Sequence, residues 1–551
     1  MPLTGKGLRL FMKTDSTDQP LIHRHAGGGN RRSTPRLGLR RGPVAALVVA
    51  FFAGPILAAP GLAVGAPSPI GAGCTDTWTD LSGGNWSTAM DWSNHAVPGP
   101  TAVACITRSG RQSYVVTLGQ GTGGVSVGSL RVGTATGHTT ETLLVEASAN
   151  TDIHLSLSQT STVAAEGRLE LTTGKGGGND FVQGAGTLVN SGRIDLLAGA
   201  GWSRYLYGNI VNNRTGTIDV AAANLPGGAT YEGTSTSLVN MGKIVVAAGS
   251  SWDVSGTGYT QTASGAVVNH GTVVFNDSTI HNEGGTSTGN TWLLRNGGTI
   301  DEAATAGPAS YTVQDSATLE GNIPKGQTIS VDGANGGDDR LALDGNVANR
   351  GTILMTSSSD WQGPGNAWIL NGGKHTSTLY NQGTLQTLPG VGWSRYFLVN
   401  VTNAPAGVIK FGTSKGSTNY FSAQQGYSST VFTNNGTVRM AAGAVVALEG
   451  VSAGQADFVQ SASGRLGATA STALPSVLDQ YGCSAGGCQH EYVRVGGSLV
   501  VSGSASSDYP VISQAAPVSG TFSSVSPPYT ATYNVTKGAP SGTVGDVVLS
   551  S

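Results

Sequence analysis

Charge is scarce in this 551-residue chain: Asp, Glu, Lys and Arg together make up 11% of it. Aromatic residues reach 6% and hydrophobic residues 38%. That is lean for a compact enzyme core, but too rich for a wholly disordered chain. Leu, Lys and Glu do not run at helical spacing, which excludes coiled coils and helical repeats. After residue 66 no long apolar run occurs, so no membrane span is expected there. What is abundant is Gly, 84 residues without collagen's three-residue period, together with Ser, Thr, Asn and Val. These are the residues of short strands and many turns.

The chain opens with a basic stretch that includes Arg31, Arg32, Arg40 and Arg41. The uncharged apolar run 44–53 follows, then Gly54, Pro55 and small residues as far as Ala66. This is the order of a secretory signal peptide, predicted over residues 1–66. Its removal takes away nine cations and two anions, leaving 21 against 30 and a net charge near −9. An acidic exported protein is a poor partner for nucleic acid or an anionic membrane. The expected location is extracellular, secreted or at the cell surface.

The only cysteines are Cys74, Cys105, Cys483 and Cys488, all beyond the signal segment. An even count in an oxidising compartment reads as two disulfides, and proximity favours Cys74–Cys105 and Cys483–Cys488. A metal site is the alternative, but only His490 stands near the second pair, without zinc-ligand spacing.

A short pattern recurs through the middle: β-formers, Asn, a few residues, Gly, a polar residue, then an aliphatic. It centres on Asn190, Asn212, Asn240, Asn269, Asn296, Asn349, Asn381, Asn403 and Asn434, with a weak copy at Asn322. The steps run from 22 to 32 residues and average about 27, a period typical of solenoids. A longer echo repeats Gly201-Trp-Ser-Arg-Tyr205 as Gly392-Trp-Ser-Arg-Tyr396, 191 residues on, the offset that also separates Asn190 from Asn381. Several units were therefore duplicated as a block. Gly is expected to supply positive φ at each corner, and stacked Asn side chains to bond one another. Tyr259-Thr-Gln261, Phe458-Val-Gln460 and Phe181-Val-Gln183 form a second pattern, each read as an inward aromatic before a turn. A unit of this length fits one coil of three short strands. The fold class is all-β: a right-handed parallel β-helix with small capping regions at both ends. Its parts are a cap over 67–115, solenoid repeats over 116–465 and a closing β region over 466–551.

The opening after the signal, Trp78 through Asn85-Trp86 and Asp91-Trp92 to Val97-Pro-Gly-Pro, resembles that of bacterial autotransporter-like, adhesin-like surface proteins with β-helical repeats. The end of the chain, with Gly520-Thr-Phe522, Tyr529, Tyr533 and Gly545-Asp-Val-Val-Leu549, resembles the last coils of their passenger regions. The resemblance covers most of 75–550. It implies a Trp-rich segment capping the first coil, with a sugar-stacking surface as its alternative role. The outer-membrane barrel and the wall-sorting tail of such proteins are not visible, so it implies an exported solenoid rather than self-secretion.

Chemistry is harder to find. The seven histidines beyond residue 66 lack ligand spacing; His270 and His281 are placed near turns. Asp332, Asn335, Asp338 and Asp339 form an acidic turn with some resemblance to a Ca²⁺ loop, but without the nine-residue period of Ca²⁺-binding rolls. No other cofactor is expected. Were the chain an enzyme, Asp338, Asp339 and Asp344 would be its catalytic carboxylates. The candidate binding surface is the repeated motif, in which Trp202, Tyr205, Trp393 and Tyr396 would offer ring faces to sugars and Arg204 and Arg395 would bond hydroxyls. The function expected is an adhesin or scaffold that binds glycans or cell-surface components. The alternatives are a polysaccharide lyase or glycoside hydrolase on the same fold, and a purely structural rod.

Overall fold

The structure is a computed structural model. It describes residues 73–550 except 120–122, 148–150, 175–177, 222–227, 234–235, 334–336, 358–364, 374–375, 391–392, 413–417, 424–428, 450–454, 472–476, 481–492, 505–508, 514–517 and 536–545. The signal segment, Asn335 and the Cys483–Cys488 pairing lie outside the described residues.

Short strands alternate buried and half-exposed residues: Thr187–Asn190 buries Leu188 and Asn190 and turns Thr187 and Val189 outward. That alternation follows from the two-residue period of extended chain. Apart from the last strands of the chain, strands pair in parallel with their counterparts one coil later, so the chain winds as a right-handed parallel β-helix. Among the described residues the coils build four sheets. Sheet I has twenty strands and sheet III nine; sheet IV has six. Sheet II runs without closing on itself from Val125–Val127 to Ser524–Val525. In the first half the chain visits sheets I, III and II in turn. Sheet III stops at Thr286–Gly289 and sheet IV takes over its place from Val347–Asn349.

Inward side chains stack from coil to coil. Ile194, Ile218, Ile244 and Val267 form one such column, all buried. Each contributes roughly 1.5–3 kcal/mol relative to exposure. Further along, the core turns aromatic with Tyr259, Phe275, Trp292 and Tyr311, packed mostly edge to face.

The corner asparagines form two hydrogen-bonded ladders. Asn190 Nδ2 donates to Asn212 Oδ1 at 2.8 Å, Asn212 to Asn240 at 2.8 Å, and Asn240 to Gln261 Oε1 at 3.0 Å. The second runs from Asn349 through Asn381, Asn403 and Asn434 to Gln460, with steps of 2.9, 2.8, 2.9 and 3.2 Å. The second Nδ2 proton of each Asn reaches a backbone carbonyl of a neighbouring coil, as Asn212 does to Lys243 at 3.1 Å. The donors all point toward the C-terminal end. The first Oδ1 of each ladder, on Asn190 and Asn349, is therefore without a donor. The rungs below them are Val163 and Ile323, which have none to give.

Two asparagines of the repeat stand elsewhere. Asn269 is buried at the end of a sheet III strand and bonds the carbonyls of Asn290 and Thr291. Asn296 occupies a surface turn with φ 54° and donates to Asn276. The drift between coils of different length moves both out of the ladder. Gln261 and Gln460 are ladder members, and their aromatic partners Tyr259 and Phe458 point inward as expected. Phe181 does not: it lies on the outer face, because Asp180 takes the inward position beside it.

The glycines that follow the ladder asparagines are not there for positive φ, unlike Gly297 after Asn296, at φ 90°. Gly216 and Gly407 have ordinary φ values, but the preceding coil passes too close for a side chain. A Cβ on Gly216 would stand 2.4 Å from both Asn190 O and Asn212 Oδ1; on Gly407 it would stand 2.1 Å from Asn381 O.

Both ends are covered. Asp76–Thr77 pairs with Val103–Ile106, and the Cys74–Cys105 disulfide ties them, with Cα atoms 5.9 Å apart. Trp78, Trp86 and Trp92 are fully buried. Their rings meet edge to face at 5.2 and 4.7 Å over the first coil. A sugar-stacking role for them is thereby overturned, since no ring face is free. At the other end an antiparallel pair, Thr530–Val535 and Asp546–Ser550, joins Tyr509–Ser513.

Gly216→Ala is expected to cost about 1–3 kcal/mol by overpacking and to lower the thermal midpoint followed by circular dichroism. Gly99→Ala, with nothing within 4 Å of its Cβ, should leave the midpoint unchanged.

Candidate functional site

The duplicated block is displaced by one face of the coil. Arg204–Tyr207 lies in sheet II and Asn209–Asn212 in sheet I. Their copies, Arg395–Leu398 and Asn400–Asn403, lie in sheets I and IV. The two tryptophan loops therefore sit at different corners. Eight coils of sheet II separate them, about 38 Å along the axis at the strand spacing.

Each loop presents one tryptophan to solvent: Trp202 is 59% exposed and Trp393 62%. Beneath it the arginine is buried, which corrects the expectation that it meets a ligand. Arg204 Nη1 donates to Trp202 O at 2.7 Å and Nη2 to Thr173 Oγ1 at 2.9 Å. Arg395 Nη1 donates to Trp393 O and Nη2 to Leu388 O, both at 2.8 Å. These arginines clamp the loop from below. Burial lowers the pKa of each, Asp180 opposing it for Arg204 and Asp332 for Arg395.

A second clamp rises through three coils. Asp152 Oδ1 accepts from the Asn179 backbone N–H at 2.7 Å, and Asn179 Oδ1 accepts from the Ser203 N–H at 3.0 Å. In the copy, Asp338 Oδ1 accepts from Asn366 Nδ2 at 2.8 Å, and Asn366 Oδ1 from the Ser394 N–H at 2.8 Å. The sequence singles out Asn179 only as part of an acidic turn, Gly176-Gly-Gly-Asn179-Asp180, weighed for Ca²⁺, and Asn366 not at all. Their signal is faint, since they stand 187 residues apart rather than 191.

The tyrosines do not offer free faces either. Tyr396 is stacked between Trp368 and Tyr420, at 4.0 and 4.9 Å. Tyr205 continues a stack from His154 and Phe181, at 4.7 Å from Phe181. The same inward-outward phase that buries Arg204 and Arg395 turns Tyr205 and Tyr396 to the outer surface, where successive coils align them. Only the tryptophans keep open faces.

The acidic candidates do not converge. Asp338 faces outward and is bonded to Asn366, with Arg340 Nη2 at 3.5 Å. Asp339, the next residue and the first of the strand Asp339–Leu343, is fully buried, and its Oδ1 accepts from the Asp315 N–H at 2.6 Å. Asp344 lies on the exposed turn beyond the strand's far end, about 16 Å from Asp339. The pairing a glycosidase needs is therefore not made by these residues. Among the described residues no three His, Cys, Asp or Glu side chains gather as metal ligands. His281 is within a sheet I strand rather than at a turn; its Nδ1 lies 2.8 Å from Asp301 Oδ2.

Burial raises the pKa of several carboxyls, Glu141 and Asp195 among them, and that of two by a large amount. Desolvation pushes Asp180 up to about 8, against the pull of the Ala147 N–H and Arg204. It pushes Glu302 up to about 7, against bonds from Gln327 and Asn282. Glu302 is 4% exposed and takes the next ladder-like corner beyond Asn282, accepting from Asn282 Nδ2 at 2.9 Å.

The fold defines the class: an all-β parallel β-helix with two clamped, solvent-facing tryptophan loops. No protein-family model, curated protein or solved structure matches the chain.

Glu302 gives a pH dependence with a definite sign. A carboxyl whose folded pKa is raised stabilises fully below its unfolded value, and that stability is lost as pH climbs toward about 7. Glu302→Gln removes the titration, and Gln327 Oε1, which has no donor, is available to accept from the new amide. The variant should match the parent near pH 4 and exceed it at pH 8 by on the order of 3 kcal/mol, read from urea unfolding at both pH values.

Proposed function

We propose that this is an exported β-helical protein, secreted or held at the cell surface, that acts as an adhesin or scaffold and binds glycans through its tryptophan loops. The observation that carries the reading is the clamp built twice. A buried arginine and an Asp–Asn–Ser staircase hold each loop so that one tryptophan stands in water. Exposing such a ring costs apolar hydration, and a fixed aromatic with an open face suits the apolar face of a sugar. Two loops eight coils apart on different faces suit a branched or multivalent surface better than one small ligand. The basic and apolar order of residues 1–66 supports export, and so does the Cys74–Cys105 disulfide, which belongs to an oxidising compartment.

The test is a glycan array probed with residues 67–551, followed by titration of any neutral glycan bound. Trp202→Ala and Trp393→Ala should each weaken binding about tenfold, without a change in thermal midpoint. An unaltered affinity in both variants would overturn the loops as the binding sites. An array with no binding at all would leave the purely structural rod as the better reading.

A further inference from the structure

We propose that a groove on the outer face of sheet II, toward the C-terminal end, binds an acidic polysaccharide whose sugars bear carboxylates. This goes beyond the tryptophan loops to a second site, though it shares the glycan-binding reading. The groove encloses about 680 Å³ and is lined by Gln386, Lys410, Arg439, Arg465, Pro389 and Ser502 among others. It lies on stacked strands: Gln386 registers with Lys410, and Lys410 with Arg439. Arg465 registers with Thr437 one coil further on. All three cations project outward, because the alternating residues Ile409, Phe411, Val438, Met440 and Leu466 fill the core.

Lys410 and Arg439 stand in register about 4.8 Å apart, and Arg465, on the next coil but two residues out of register, is diagonal to Arg439 at roughly 8 Å. Like charges so placed repel one another. Elsewhere this chain neutralises such a stack. Arg168 and Arg193, also on neighbouring coils, are threaded with Glu170, Asp195 and Asp219 at 2.5 to 3.0 Å. Lys410, Arg439 and Arg465 have no ion pair or side-chain hydrogen bond among the described residues. Segments 384–390, 408–412, 437–444 and 465–469, which form the groove, contain no Asp or Glu. In a chain whose acids outnumber its bases, that is a local inversion of sign. The missing counter-charge is supplied by the ligand.

The spacing and the walls favour a polyuronate. An extended polymer of this kind carries one carboxylate per sugar ring, a repeat comparable to the rise between coils. Its apolar ring edges find Pro389 and Ala441. A single-stranded nucleic acid would need aromatic platforms for its bases. The one ring in the groove, Phe411, is buried at 2% exposure.

The experiment titrates residues 67–551 with polygalacturonate, dextran and poly(dT), at low and high salt. Polygalacturonate should bind, more weakly as salt rises, and the other two should not. Lys410→Ala/Arg439→Ala/Arg465→Ala should lose at least tenfold in affinity, while Trp202→Ala/Trp393→Ala keeps it. Lys410→Gln alone, least able to disturb the fold, should lose a measurable part. No polygalacturonate binding, binding indifferent to these changes, or equal binding of poly(dT) would overturn the proposal. The two readings fail separately: loss of the groove leaves neutral glycans on the tryptophan loops, and silence of the loops leaves polygalacturonate on the groove.

Discussion

A parallel coil must be told where to turn and which residue of the next coil to meet, and here the side-chain amide at the corner does both. Each Asn donates one proton to the Asn above and one to the backbone of a neighbouring coil, so a coil that slips by one residue loses both bonds. Such a slip would also turn an apolar row outward. The bonds are individually modest, about 1 kcal/mol each, but the amides are fully buried, and an unmade bond there costs more than a made one returns. The glycines follow from the same constraint. The coils approach so closely at the ladder that Gly216 and Gly407 have no room for a Cβ.

The two ladders also explain how one duplicated block came to serve two faces. Where sheet III ends and sheet IV begins, two coils use only sheets I and II, and the following copy of the block resumes one face on. Everything attached to the block moves with it. The ladder passes from the sheet I corner to the sheet IV corner, the outward aromatic stack from sheet II to sheet I, and the tryptophan loop to a new edge. A repeat that would otherwise present one binding edge twice presents two. The groove of Lys410, Arg439 and Arg465 occupies the sheet II face of the same displaced copy.

Much of the architecture was legible because the corner chemistry is local. Asn, a short turn, Gly and an aliphatic residue read the same in every coil, and seven of the nine repeat asparagines stand in the ladders. Asn269 and Asn296 were read into the same pattern, and only the lengths of the intervening turns move them out of it. The sites were less legible, because phase decides them. Arg204 and Tyr205 are neighbours in sequence, yet one is clamped in the core and the other is on the surface. Asp338 and Asp339 are parted in the same way, which removes the carboxylate pair that composition invited. The cationic groove did leave a trace: Lys410, Arg439 and Arg465 are spaced by 29 and 26 residues, the period of the repeat itself. The bias toward acid in the whole chain hid it.

The central claim is that neighbouring corner amides stabilise the stack through each other. A double-mutant cycle on Asn212→Ala and Asn240→Ala measures it directly, with unfolding free energies from urea denaturation. Side chains in direct contact within one network couple by about 0.5–3 kcal/mol, and distant ones add within a few tenths. The account predicts coupling of at least about 1 kcal/mol for Asn212 with Asn240 and none for Asn212 with Asn403, which belongs to the other ladder. Equal and negligible coupling in both pairs would contradict it, and would leave apolar stacking alone to set the register.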